Sequence, residues 1–238
     1  MSFPIRAITL DLDDTIWPIA PVMTRAEIVL GDWLRTHAPR TAERFPAEAM
    51  RALRDEIAAT RPDLAHDFTE QRRLTLQHML RESGDDIALA TPAFDVFFAA
   101  RCEVEHYADS EAALIRLAAR LPLAALTNGN ADLVRIGLMP LFQFQLGARE
   151  HGRAKPDASI FHAACERLGL EPAQVLHVGD DIELDVVGGA QAGLRTCWIN
   201  REERSWPHTH VRPDLEFTTL AELADWLDAA HRTDTAAA

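Results

Sequence analysis

Between Arg6 and Ile16 an apolar run stops abruptly at three carboxylates and a threonine: Arg6-Ala7-Ile8-Thr9-Leu10-Asp11-Leu12-Asp13-Asp14-Thr15-Ile16. A short apolar run bounded in this way reads as a buried strand that delivers its last side chains to a sheet edge. Asp11, Asp13 and Asp14 then crowd negative charge at one point, where like charges oppose one another's ionisation. A bound divalent cation is the usual compensation. Side chains alternate with a period of two along a strand, so Asp11 and Asp13 share a face. Such a pair suits a two-part reaction, with one carboxylate as nucleophile and the other as proton donor and acceptor. The plainer alternative is a solvated strand-to-turn junction with Asp13-Asp14-Thr15 as the turn. The rest of the chain bears on the choice.

At 238 residues the chain accommodates a full core, as one domain with a substantial insertion. Its net charge of −13 argues against nucleic acid or an anionic membrane as a partner. An anionic ligand would need a local reversal of that field, which makes isolated Lys and Arg residues in loops informative. Cys102, Cys165 and Cys197 are widely spaced and lack a metal-ligand pattern, so they read as buried thiols. No secretory leader precedes the first strand and no apolar stretch approaches membrane-spanning length, so the expected setting is the cytoplasm.

Besides Ile5–Leu10, four segments read as buried strands: Leu121–Leu126, Phe142–Leu146, Val175–Val178 and Arg195–Ile199. Helical stretches lie between them at Ser110–Arg120, Ala131–Met139, Ala158–Leu168 and Asp185–Ala192. This alternation predicts an α/β fold, a doubly wound parallel sheet with helices on both faces. From Pro18 to Tyr107 only helical periodicity is found. One stripe is Val22, Ala26, Val29, Leu30, Trp33 and Leu34; others are Met50, Leu53 and Ile57, then Leu76, Met79 and Leu80. Phe94, Phe97 and Phe98 begin a fourth helix. The first strand is thus parted from its sheet by a helical insertion, with residues 1–17 and 108–238 forming the core and 18–107 the insert. The small, polar tail Thr233–Ala238 is expected to fray.

Ligands of open α/β sheets bind beyond the carboxyl ends of the strands. The second strand ends in Leu126-Thr127-Asn128-Gly129-Asn130, where a hydroxyl, an amide and a Gly turn could grip a phosphate; Asn130 as a helix N-cap is the alternative. After the third strand, Pro156 as the first residue of a helix would place Lys155 just before it, where its charge could neutralise a phosphoryl oxygen and restrain a carboxylate. His151 nearby reads as a solvated loop residue or a substrate contact. The fourth strand ends in Gly179-Asp180-Asp181, with Asp185 following, a second acidic cluster of the kind Mg2+ prefers.

These four clusters resemble the haloacid dehalogenase-like (HAD) superfamily of aspartyl-phosphate phosphohydrolases. Asp11-Leu12-Asp13-Asp14-Thr15 is similar to its first motif, Thr127 to its second, Lys155 to its third, and Gly179-Asp180-Asp181 with Asp185 to its fourth. The helical insertion looks like the family's type-1 cap. The segments 126–130, 151–156 and 176–181 are similar to the branch that dephosphorylates FMN and 5-amino-6-(5-phospho-D-ribitylamino)uracil. The resemblance implies a Mg2+-dependent phosphomonoester hydrolase for a small metabolite, with Asp11 as nucleophile and Asp13 as acid and base. It also implies Mg2+ on Asp11, the Asp13 carbonyl and Asp180, and phosphate held by Thr127, Asn128 and Gly129. Asp185 and Asp181 are expected just behind the metal, Asp185 either on a metal-bound water or orienting Lys155. Substrate choice would fall to the cap, where Arg72 and Arg73 are candidate contacts; Trp17 and Pro18 would shape a hinge or flap. The competing readings are a sugar-phosphate phosphomutase, which shares the chemistry, and a catalytically silent binding protein. A dehalogenase has no use for Asp13 or for the acidic pair Asp180-Asp181.

Overall fold

The computed structural model describes residues 5–236. Strand β1 (Ala7–Leu10) is followed by helices α1 (Ile19–His37), α2 (Pro39–Arg44), α3 (Ala47–Thr60), α4 (Phe68–Ser83) and α5 (Ala90–Arg101). Then come α6 (Ser110–Ala118), β2 (Leu123–Thr127), α7 (Leu133–Ile136), β3 (Phe144–Gly147), α8 (Ala148–His151) and α9 (Ala158–Leu168). The chain ends through β4 (Val175–Gly179), a π-helical turn at Ile182–Val187, α10 (Gly188–Gln191), β5 (Arg195–Ile199), β6 (Leu215–Phe217) and α11 (Leu220–Ala236).

Six parallel strands form one sheet in the order β3-β2-β1-β4-β5-β6. The central strands β1, β2 and β4 are buried along their whole length. Strands covered on both faces need continuous apolar runs, and this is why they stand out in the sequence. Strand order reverses direction at β1, so the loops after β1, β2 and β4 gather at one end. The sheet core includes Leu126, Leu146, Ile160, Phe161 and Val175.

Local differences from the sequence reading have physical causes. The helix expected over Ala131–Met139 is one turn, Leu133–Ile136, because Gly137 adopts φ 89° and Pro140 follows. Its first turn is capped by Asp132, which accepts from Val134 N–H at 2.8 Å, rather than by Asn130. Pro156 does not open α9: it follows a cis peptide bond, and Asp157 is the N-cap, accepting from Ser159 N–H at 2.9 Å. The helix expected to start at Asp185 begins three residues earlier as the π turn. Strand β6 escaped the reading because three residues with Glu216 at the centre carry no strand signal. The tail continues as helix from Thr233 to Ala236; its last two residues lie outside the described range.

The chain packs as two compact units. One comprises Met1–Pro18, His106–Gly129 and Gly137–Ala238, the other Ile19–Glu105 and Asn130–Ile136. The helical unit has its own core: Leu30 and Leu34 of α1 meet Met50 of α3, Leu76, Met79 and Leu80 of α4, and Phe94 and Phe97 of α5. Each such side chain contributes about 1.5–3 kcal/mol by leaving water. Segment 130–136 joins this unit through Asn130 Nδ2, which donates to Thr69 Oγ1 at 3.3 Å, and through Arg135, whose guanidinium lies 5.0 Å from the Phe98 ring centre.

Candidate active site

Asp11 leaves the end of β1 with its N–H donating to Val178 C=O at 2.9 Å, so β1 and β4 stay paired up to the site. The chain then doubles back. Asp14 adopts φ 60°, its N–H donates to Trp17 C=O at 2.7 Å, and Ile16 N–H donates to Leu12 C=O at 2.8 Å. Leu12, Ile16 and Trp17 anchor this turn as fully buried side chains. Trp17 Nε1–H donates to Asp13 Oδ1 at 2.8 Å, and Thr15 Oγ1–H donates to Asp180 Oδ1 at 2.9 Å. Arg201, just beyond β5, donates to Thr15 C=O at 2.9 Å and to Asp109 Oδ1 at 2.9 Å.

Lys155 is buried, and its Nζ donates at 2.6 Å both to Asp11 Oδ1 and to Asp185 Oδ1. Asn128 fixes the lysine's backbone from both sides: Nδ2 donates to Lys155 C=O at 2.9 Å, and Oδ1 accepts from Lys155 N–H at 2.8 Å. Thr127 is buried at the end of β2, and its Oγ1 accepts from Gly129 N–H at 2.9 Å. Asn128 and Gly129 therefore already have partners within the protein.

Asp185 receives three donors: Lys155, His177 Nε2 at 3.0 Å, and Asp181 N–H at 3.1 Å onto Oδ2. His177 closes the network from inside β4, with Nδ1 2.9 Å from Thr9 Oγ1. Asp181 turns away, its Oδ1 accepting from Glu183 and Leu184 N–H at 2.8 Å as the cap of the π turn. The carbonyl of Asp180 is held by Trp198 Nε1 and Arg204 Nη2, both at 2.9 Å. His151 is 2.8 Å from Ser159 Oγ, outside this cluster. Sequence reasoning missed His177, Trp198, Arg201 and Arg204 as parts of the site. A histidine inside a continuous apolar strand was the one available signal; the other three depend on tertiary placement.

Asp11, Asp180 and Asp185 each bring a carboxylate oxygen within 4.8 Å of the other two. Burial and the neighbouring Asp185 and Asp180 charges push Asp11 upward despite Lys155. Burial first, then Asp185, pushes Asp180 up to about 7. Asp185 is held below the usual carboxylate range: burial opposes its charge, but Lys155 and His177 outweigh it. Lys155 is held above its ordinary value, since two carboxylates outweigh its burial. Burial, with Lys155 adding to it, holds His177 low and hence neutral. A neutral imidazole that donates Nε2–H to Asp185 must accept the Thr9 hydroxyl at Nδ1. Three carboxylates thus face one lysine, and the surplus of buried negative charge on hard oxygen donors fits a divalent cation. Asp185 already receives three N–H groups, which leaves Asp11 and Asp180 as the candidate donors for such an ion.

In the helical unit, Arg72 is buried on α4 and makes an ion pair with Glu27, its Nη2 2.5 Å from Oε1. Its guanidinium lies 4.2 Å from the Phe97 ring centre, and Arg73 lies 4.7 Å from that of Phe94. Asp67 caps this helix, its side chain accepting from Glu70 N–H at 2.8 Å.

A family model for haloacid dehalogenase-like hydrolases matches residues 5–193, a span that holds every carboxylate of the cluster and Lys155. The chain belongs to this family. Within the haloacid dehalogenase-like hydrolases it is similar to the 5-amino-6-(5-phospho-D-ribitylamino)uracil phosphatase YigB of Escherichia coli (strain K12). The two are 32% identical over 227 residues, which cover 92% of this chain and 94% of that one. The N-acylneuraminate-9-phosphatase of Mus musculus is 27% identical over 239 residues, covering 93% and 95%. A crystal structure of a 2-haloacid dehalogenase from Pseudomonas syringae pv. Tomato DC3000 matches with a TM-score of 0.88 at 35% identity, covering 94% and 99%. The family resemblance carried by the four strand-end motifs is thereby borne out, as is the parallel α/β sheet.

Proposed function

We propose that this hydrolase cleaves small phosphomonoesters through a phosphorylated Asp11. The observation that carries the reading is Asp11 in ion pair with buried Lys155, two residues before a carboxylate held apart by its own donor, Trp17. In the first step a bond forms from an Asp11 oxygen to phosphorus, the ester P–O bond breaks, and Asp13 gives a proton to the departing alkoxide. In the second, Asp13 takes a proton from water as that water's oxygen bonds to phosphorus and Asp11 is released. One hard displacement becomes two easier ones, with a single residue serving as acid and then base. Lys155 restrains the Asp11 carboxylate and neutralises charge beside it. Thr127 Oγ1 accepts from Gly129, which leaves its hydroxyl proton for a phosphoryl oxygen. We assign Asn128 to positioning Lys155. A divalent cation, which we take to be Mg2+ held by Asp11, Asp180 and the Asp13 carbonyl, would supply charge neutralisation between phosphate and carboxylate.

Relatives acting on a phosphoribitylamino pyrimidine and on a sugar acid phosphate support small phosphorylated metabolites as the substrate class. We place FMN and the riboflavin-pathway ester first among them, and the helical unit as the determinant of choice. Both arginines lie on phenylalanine rings, but Arg72 is also buried in an ion pair with Glu27, so Arg73 is the better of the two for a substrate contact. Among the described residues no helix is long and apolar enough to cross a membrane. The three unpaired, buried cysteines support a reducing, cytoplasmic setting.

The test is phosphate release from FMN, nucleoside monophosphates, sugar phosphates and p-nitrophenyl phosphate, with Mg2+ and with EDTA. Release that needs Mg2+ and is lost by at least about a hundredfold in Asp11→Asn is expected. Near-normal turnover in Asp11→Asn would sink the covalent route. The dehalogenase neighbour motivates a second assay, chloride release from 2-chloropropionate. A halide departs without the proton that Asp13 supplies in the first step, and the relatives YigB and N-acylneuraminate-9-phosphatase are phosphatases, so no chloride is expected.

A further inference from the structure

Trp17 is fully buried, yet its one polar atom ends on a carboxylate. The turn after β1 is built so that this happens. Asp14 in the left-handed region lets the chain reverse, Asp14 N–H donates to Trp17 C=O, and Asp13 and Trp17 pair as an isolated bridge. Phenylalanine would fill most of the same apolar space without the donor. We propose that Trp17 is the positioning residue for proton transfer at Asp13, an inference that rests on the phosphomonoesterase reading.

An indole N–H donates and cannot accept. The Asp13 Oδ1 that faces it at 2.8 Å is therefore an acceptor in every protonation state. The transferable proton resides on Oδ2. In the first step it goes from Oδ2 to the alkoxide as the ester P–O bond breaks; in the second, Oδ2 takes a proton from the attacking water. The same bond stops the carboxyl from rotating, so Oδ2 is presented in one orientation. Holding a reacting group in place in this way removes an entropic part of the barrier.

Trp17→Phe keeps an aromatic ring and removes the donor, and its effect is read as kcat/KM, which reports through the first irreversible step. An alkyl phosphate, whose alkoxide needs the proton, is expected to lose about tenfold or more, and p-nitrophenyl phosphate, whose phenolate does not, less than about threefold. With Asp13→Asn already present, adding Trp17→Phe is expected to change kcat/KM by less than about twofold. Equal losses on both esters mean a structural role and overturn the proposal. Should Trp17→Phe fail to fold, the indole 15N–1H spectrum of the full chain serves instead. The Trp17 resonance is expected to shift in Asp13→Asn, and a resonance that stays put overturns the proposal. If the unaltered chain hydrolyses neither ester, the functional reading fails and this inference with it; hydrolysis with equal losses refutes the role of Trp17 alone.

Discussion

Asp180 carries a burden that its neighbours impose. An unfolded carboxyl loses its proton near pH 4, while burial and Asp185 push the folded one up to about 7. Between those values the folded chain holds an extra proton, so the stability this group contributes at low pH is lost as pH rises through 7. In EDTA, Asp180→Asn is expected to raise the thermal midpoint above that of the wild type by more at pH 8 than at pH 4. Adding Mg2+ at pH 8 is expected to raise the wild-type midpoint by rewarding the ionised form. A difference between variant and wild type that ignores pH would refute the account. At this scale much of the site was legible. Asp11 and Asp180 announce themselves by following apolar strands, where a polar residue has few structural reasons to be, whereas Lys155 lies in a polar loop beyond α8 and was legible through its resemblance to the third motif. The reciprocal bonds of Asn128 with Lys155 were not legible, since they join residues far apart in the chain. His177 was marked only by its place in an apolar strand, since its partners Thr9 and Asp185 lie on β1 and in the π turn.

The element that decides how Asp185 meets Lys155 is the π turn. Its wider hydrogen bonding, with Val186 N–H reaching back to Asp181 C=O at 3.3 Å, swings Asp185 over the end of β4. That placement leaves no room above Gly179, where a β-carbon would fall inside the Asp185 carboxylate. Gly179→Ala is therefore expected to displace Asp185 from Lys155 and lower kcat/KM by about a hundredfold, since shifts near 1 Å have that effect. Steady-state kinetics on any hydrolysed ester checks it, and wild-type rates would show that the turn can yield. No sequence period marks a π turn, whereas the 3.6 period of α9 predicted Ala158–Leu168 to the residue. The central strands were equally plain because the sheet is covered on both faces. What failed were short edge elements such as β6, which rely on a neighbour rather than on their own composition.

Across the whole molecule, Asp109 joins segments far apart in sequence. Its carboxylate accepts from Arg201, which also grips Thr15 C=O, and from Leu220 N–H at 2.8 Å, where α11 begins. Burial opposes the charge of Asp109, but Arg201 and the Leu220 N–H outweigh it and hold its pKa down. A depressed carboxyl contributes stability above its unfolded pKa near 4 and loses it as pH falls. Asp109→Asn is expected to lower the thermal midpoint at pH 7 by roughly 2–6 °C. That gap should close toward pH 3; a constant gap would mean the charge is irrelevant.

The membership of residues 130–136 in the helical unit has a consequence for modular engineering. Exchange of specificity between relatives is usually imagined as transplanting a single insert. Here the insert is a composite: a graft of residues 19–105 alone leaves Thr69 without Asn130 and Phe98 without Arg135. The seven-residue piece starts directly after Gly129, in the same loop as Thr127 and Asn128. A chimera that exchanges the helical unit must therefore exchange both stretches of chain together, the shorter of them bordering Thr127 and Asn128.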